Sequence, residues 1–274
     1  MILLPQRIKA MRALSTFLLF FVVFTIVVAA QGDPASWQRE MLADPLLSKT
    51  EQKAAIKRYD LASLWTPADS SSVFGFIGKN YRRIRIKILS ATKSGRDSLT
   101  YNITGASLVG DTFRRFEGTI KVVNARMYKA IEPEMAAENI KKRGIVFGDY
   151  SFVEKGSDAH SGIFSGTFYT AFYITDAGKI HYDDLEDGAD AFTNNQFAGR
   201  WRSKDGKLDF VCNWGDSRIP LSGDLDVGDG EFSPNPKYFK NGWQVFHDAY
   251  INQDADALKQ EQREWWNPPA TKKQ

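Results

Sequence analysis

Ile84, Ile86 and Ile88 alternate with Arg83, Arg85 and Lys87. This two-residue period belongs to a half-buried strand with a basic solvent face, not to a helix. Further strands are predicted at 98–109, 112–126, 144–154, 162–175, 179–183, 196–202 and 208–214, which with the isoleucine strand makes eight. Lys93-Ser94-Gly95-Arg96, Asp176-Ala177-Gly178 and Lys204-Asp205-Gly206 offer the positive φ that tight hairpins require. The expected fold is therefore mainly β: an antiparallel meander of about eight strands closing as a barrel or sandwich, with flanking N- and C-terminal helices.

Helical periodicity is confined to the flanks and one connection. From 44 to 64, Ser48-Lys49-Thr50-Glu51 matches a capping box, and Ala54, Ala55, Ile56, Tyr59 and Leu64 supply an apolar stripe. Between the third and fourth strands, Pro133 with Glu134 early and Lys141 and Lys142 late predicts a short helix over 133–142. Near the C-terminus Trp243, Phe246 and Tyr250 share one helical face, and a second helical segment covers 254–266. The chain divides into 1–30, a leader; 31–72, a helical segment; 73–214, the β domain; 215–240, an irregular acidic loop; and 241–274, a helical segment packing on the β domain.

Four strands share a pattern: Phe116-Glu117-Gly118, Phe147-Gly148, Phe164-Ser165-Gly166 and Phe197-Ala198-Gly199. Glycine inside a strand marks a bend or a close backbone approach, so these predict curved strands whose aromatic neighbours fill a core. Their irregular spacing excludes a propeller or solenoid.

The 274 residues, 43% hydrophobic and 25% charged, exclude a wholly disordered chain. Arg7, Lys9 and Arg12 precede an uncharged apolar run over 13–30 that ends Val28-Ala29-Ala30, the outline of an export signal cut before Gln31. The same run is long enough to serve as a membrane anchor instead. The expected location is the periplasm or cell surface, with membrane contact only through this segment. Residues 31–147 hold 20 bases and 12 acids and residues 148–274 hold 13 and 21, a polarity that predicts attraction between the halves of one fold. Basic residues scattered on strand faces speak against a nucleic-acid partner. A single cysteine excludes an intramolecular disulfide.

The strings Gly148-Asp149-Tyr150-Ser151-Phe152, Gly162-Ile163-Phe164-Ser165-Gly166, Asn194-Asn195-Gln196-Phe197-Ala198-Gly199-Arg200-Trp201 and Cys212-Asn213-Trp214-Gly215-Asp216 together resemble exported bacterial β-proteins of unknown function. In architecture the meander is similar to calycin-like barrels, although the first-strand Gly-x-Trp of lipocalins is missing. The resemblance implies a fold and a compartment but no activity.

Cys212 with His160, His181 or His247 is a candidate nucleophile and base. Leu208, Phe210, Cys212 and Trp214 fall on one alternating face, however, which points the thiol at the core. No catalytic residue is assigned. Asp183-Asp184-Leu185-Glu186-Asp187-Gly188 and the acids of 224–231 place carboxylates on glycine-containing loops, the chemistry Ca²⁺ favours, though neither matches an EF-hand. The expected site lies on the loop after Trp214: Trp214, Arg218 and Glu231 for a small molecule or glycan, and Asp224, Asp226 and Asp229 for Ca²⁺. The competing expectation is a structural wrap in which Trp214 and Phe232 pack on the barrel and the acids pair with the basic first half. Two functions fit: a non-catalytic ligand-binding or cell-envelope protein, or a glycan-active hydrolase using the loop acids.

Overall fold

The computed structural model describes residues 32–67, 73–131, 133–137, 139–156, 161–190 and 192–267; the expected leader over 1–30 and His160 lie outside them. Ten strands form one antiparallel sheet: β1 Val73–Ile77, β2 Arg82–Arg83, β3 Arg85–Lys93, β4 Thr100–Val109, β5 Thr112–Met127, β6 Ile140–Glu154, β7 Gly162–Thr175, β8 Ile180–Tyr182, β9 Asn194–Ser203 and β10 Asp209–Asp216. From β3 to β7 each strand pairs with its successor, β9 continues from β7, β10 follows, and β1 and β2 complete the order. The short β8 pairs beside β9 on the same edge of β7. The sheet curls into a half-barrel. Its two margins meet at one point, because β2 and β3 are one run interrupted at Ile84, whose N–H donates to the Gly75 carbonyl at 3.0 Å. Beyond Ile84 no ladder joins β1 to β3 among the described residues, and a seam remains.

All eight predicted strands are present. Two more were hidden, and β1 shows why. Val73-Phe74-Gly75-Phe76-Ile77 is a continuous apolar run that gives no alternation. Val73 and Ile77 pack on the main core while Phe74 and Phe76 pack in a second cluster outside the sheet, so both faces are covered.

Two helical expectations are corrected. Among the described residues of the 133–142 segment only Pro133–Ala137 is helical (α3), and Lys141 and Lys142 belong to β6. In the N-terminal segment, α1 spans Pro34–Leu42 and α2 only Lys53–Ile56, with a single 3-10 turn at Ala62–Trp65. The capping box over Ser48–Glu51 does not form. Instead β5 runs on past the end of β4, and residues 47–52 lie along its exposed edge: Ser48 N–H donates to Met127 O (2.8 Å), Gln52 N–H donates to Ala125 O (2.9 Å), and Glu51 Oε1 accepts from Ala125 N–H (3.2 Å). An unpaired strand edge needs partners for its backbone groups, and this requirement outweighs local helix propensity.

On three of its strands the phenylalanine–glycine pattern becomes interior packing, whereas Phe147 packs in a separate cluster with Leu47, Ile145 and Tyr169. Phe116 stacks on Phe152 with centroids 5.0 Å apart, and Phe197 is sandwiched between Trp214 (5.0 Å) and Phe168 (5.5 Å). Gly166 and Gly199 face each other across β7 and β9, and a Cβ on either would lie under 3 Å from the other's Cα. At the far end of β9, Glu154 is buried: its Oε1 accepts from Ser107 Oγ (2.7 Å), and its Oε2 accepts from Gly162 N–H (3.0 Å) and Trp201 Nε1 (2.9 Å).

The C-terminal helices α4 (Gln244–Tyr250) and α5 (Ala255–Gln262) lie outside the sheet at the seam. Trp243 and Phe246 join Phe76, Tyr81, Ile219, Leu225 and Phe232 in the second cluster, and Trp243 Nε1 donates to Tyr81 O at 2.7 Å. Glu261 receives Arg83 through two hydrogen bonds (2.7 and 2.6 Å) and lies 2.6 Å from Arg85. This pair and Arg143 with Asp183 and Glu186 join the basic and acidic halves as the charge polarity predicts. Burial pushes the Glu261 carboxyl up, but Arg83 and Arg85 outweigh it and hold the group below its ordinary value of 4.5. A depressed carboxyl stabilises the fold fully above that ordinary value and loses the contribution as pH falls through the lowered one. An acid titration followed by carboxyl NMR should therefore place the Glu261 midpoint below 4.5, and a midpoint at or above that value would contradict the pairing with Arg83 and Arg85. Among the described residues no helix is long and apolar enough to cross a membrane.

Candidate functional site

A cavity of about 40 Å³ lies at the mouth of the half-barrel, where β1 and β3 part. Val73 lines it from one flank of the seam, and Ile86, Lys87 and Ile88 from the other. Trp65, Thr66, Pro67, Phe197 and Trp214 also line it, and Asn195 and Asp216 supply polar groups.

Local backbone irregularities aim the polar pair. The β9/β10 register shifts between Trp214 and Asp216, and Asn195 adopts φ 45°, in the left-handed region that asparagine tolerates better than most residues. Asn194 braces the turn, accepting from Ala171 N–H (2.8 Å) and Asn195 N–H (2.7 Å). Trp65 Nε1 donates to Thr170 Oγ1 (3.1 Å), Thr170 Oγ1 donates to Asn195 Oδ1 (2.8 Å), and Asn195 Nδ2 donates to Leu64 O (2.9 Å). Tyr182 Oη donates to Asp216 Oδ2 at 2.7 Å, and Gln196 Nε2 donates to the carbonyls of Asp216 and Arg218. The carboxylate and the amide are thus held in fixed positions, beside ring edges and aliphatic walls.

Of the residues expected to form the site, the structure brings only Trp214 to this cavity. It is buried, with one face against Phe197 and its edges among Tyr150 and Phe164, so it is not an open stacking surface. Arg218 lies inside the acidic loop and ties it together: Nη2 donates to the carbonyls of Gly228 (2.8 Å), Gly230 (2.8 Å) and Glu231 (3.2 Å), and Nη1 lies 3.4 Å from Asp226. Asp226 Oδ1 also accepts from Gly228 and Ser233 N–H. Asp224 pairs with Lys237 and accepts from Tyr238 Oη, while Asp229 and Glu231 are exposed. The loop is a wrap over the second cluster, and Asp224 and Asp226 pair with bases of their own half. The other acidic string is also engaged: Arg143 Nε donates to Asp183 (2.8 Å) and Nη2 to Glu186 (2.9 Å). Burial pushes the Asp183 carboxyl up further than Arg143 draws it down. Among the described residues no group of three His, Cys, Asp or Glu side chains is arranged to hold a metal ion.

Cys212 is fully buried, as its strand phase predicts, and burial pushes its thiol well above the ordinary value. His181 stacks on Tyr173 and His247 packs against Phe239, each in a different place from the thiol.

Of the mouth residues only Trp214 was assigned to a site from the sequence; Asp216 and Asn195 were not. A signal for Asp216 existed. Phe210, Cys212, Trp214 and Asp216 keep one two-residue phase, which carries Asp216 inward as the strand ends.

Replacing Asp224, Asp226 and Asp229 together by Asn is expected to cost about 1–3 kcal/mol, mainly through Asp226, with no change in Ca²⁺ response. Thermal unfolding with and without Ca²⁺ tests this; unchanged stability together with lost Ca²⁺ stabilisation would place a cation site on the loop.

No family model, no curated protein and no solved structure matches this chain.

Proposed function

We propose that this chain is an exported, non-catalytic binding protein of the cell envelope whose barrel mouth receives a hydroxyl-bearing group of a small molecule or glycan. The observation that carries this reading is the mouth cavity, where Asp216 and Asn195 stand fixed among the apolar side chains of Val73, Ile86 and Ile88. Few polar groups held rigidly in an apolar recess are the usual composition of a ligand site. A hydroxyl suits this pair, because it donates to a carboxylate and accepts from an amide N–H. The cavity admits one end of a ligand, so the rest would lie outside it. Export rests on the basic residues and apolar run of the leader. A hydrolase acting through the loop acids has less support, since Asp224 and Asp226 are engaged by Lys237, Tyr238 and Arg218.

A panel of glycans, polyols and lipids screened by thermal shift and tryptophan emission tests the binding role. A ligand that stabilises the native chain and fails to stabilise Asp216→Ala is expected. Binding that survives in Asp216→Ala would move the site elsewhere, and an envelope fraction containing no form of the chain would remove the export claim.

A further inference from the structure

The seam between β1 and β3 is spanned from outside by the C-terminal helices, and the two helices are attached in different ways. On the β1 side α4 is anchored by apolar burial: Phe246 and Ala249 are buried, and the Phe246 ring lies 4.9 Å from that of Phe74. On the β3 side α5 contributes no buried apolar residue, and its one side chain taken out of solvent is that of Glu261. Its hold is polar, with Glu261 clasped by Arg83 and Arg85, and Lys87 Nζ lying 5.0 Å from the Trp266 ring just beyond the helix. Residues 251–254 between the helices are all exposed, and Gln253 has φ 56°. Lys87 also lines the mouth cavity, so the far end of this strap rests on the cavity's own wall.

We propose that α5 and the Trp265-Trp266 segment form a latched gate over the β1/β3 seam, pivoting at residues 251–254 while α4 stays in place. Release of Glu261 from Arg83 and Arg85 uncovers the flank of β3 and opens the mouth cavity sideways along the seam. Apolar anchoring makes α4 the fixed half, since buried rings leave a core only with its unfolding. A polar clasp at a helix that buries no apolar residue is the contact whose local opening leaves the remaining fold intact. The gate gives the small cavity a route by which a longer ligand is admitted between strands, so this inference rests on the proposed binding role for its purpose, though not for its motion.

Hydrogen exchange of the whole chain, read by mass spectrometry peptide by peptide, tests the motion without any ligand. Two variants loosen α5 by independent means: Glu261→Gln removes the charge clasped by the arginines, and Asp254→Ala removes the side chain that caps α5 by accepting from Asp256 and Ala257 N–H. Both are expected to speed exchange over residues 84–89 at least about tenfold, equivalent to about 1.4 kcal/mol of eased opening, with peptides of β6 and β7 unchanged. Native exchange rates over 84–89 in either variant would overturn the gate. So would acceleration spread equally over β6 and β7, which would show general destabilisation. Because exchange reads the gate alone and the ligand panel reads the site, failure of one leaves the other standing.

Discussion

Glu154→Ala should lower stability by about 3–5 kcal/mol. The carboxylate is the shared acceptor for Ser107 Oγ, Gly162 N–H and Trp201 Nε1 at one end of the barrel interior. Removing it leaves the Gly162 and Trp201 donors buried with no partner, each at about 1–3 kcal/mol, and adds the volume of the lost side chain as a void. Ser107 can rotate, so its share is smaller. Glu154→Gln should cost less, because the amide oxygen keeps one acceptor while its NH₂ meets a donor. For a domain of this size the alanine variant should melt roughly 6–20 °C lower, at about 2–4 °C per kcal/mol. Calorimetry of both variants decides the matter: a loss below about 1 kcal/mol in Glu154→Ala would mean that the three donors find other partners.

The second large effect is expected at Gly199. A Cβ there would lie 2.2 Å from Ser165 O and 2.5 Å from Tyr150 Oη, distances that real Cβ atoms do not reach. The Ser165 oxygen belongs to the neighbouring strand and can retreat only by displacing the β7/β9 ladder. Gly199→Ala should therefore cost about 2–4 kcal/mol through overpacking. Gly188→Ala is the matched control, since no atom lies within 4 Å of the position its Cβ would take; that variant should stay within about 0.5 kcal/mol of the native chain. Equal stability of the two variants in denaturant unfolding would show that the sheet flexes enough to admit a side chain, contrary to the packing described.

These two positions show how far one periodicity reaches. Gly199 stands in a repeated Phe-x-Gly pattern, and the inference that such glycines admit aromatic neighbours holds: Phe197, Gly199 and Trp201 keep one phase, and Tyr150 projects toward the gap that Gly199 leaves. Glu154 could be read the same way, because Tyr150, Phe152 and Glu154 share a phase that points inward. Its three donors could not be read, since Ser107, Gly162 and Trp201 are separated along the chain and meet only when β4, β6, β7 and β9 curl together.

The sequence by itself determined the strands that alternate, the positive-φ turns at Gly178 and Gly206 though not one at Gly95, the curvature at the glycines, the burial of Cys212 and the attraction between a basic and an acidic half. Each of these is local or compositional, so side-chain phase and turn chemistry suffice. Tertiary structure decided the remainder. It made residues 47–52 a partner of β5 where a helix was expected, because an unpaired strand edge offered more than the capping box. It buried both faces of β1 and so concealed a strand. It drew the acidic loop around Arg218 as a wrap. It also formed a recess at the barrel mouth that no single stretch announces, where Trp65, Ile86, Asn195, Trp214 and Asp216 converge. Such a recess depends on where a curled sheet fails to zip, and that is set by the closure of the whole sheet around its aromatic core, not by any stretch of the chain alone.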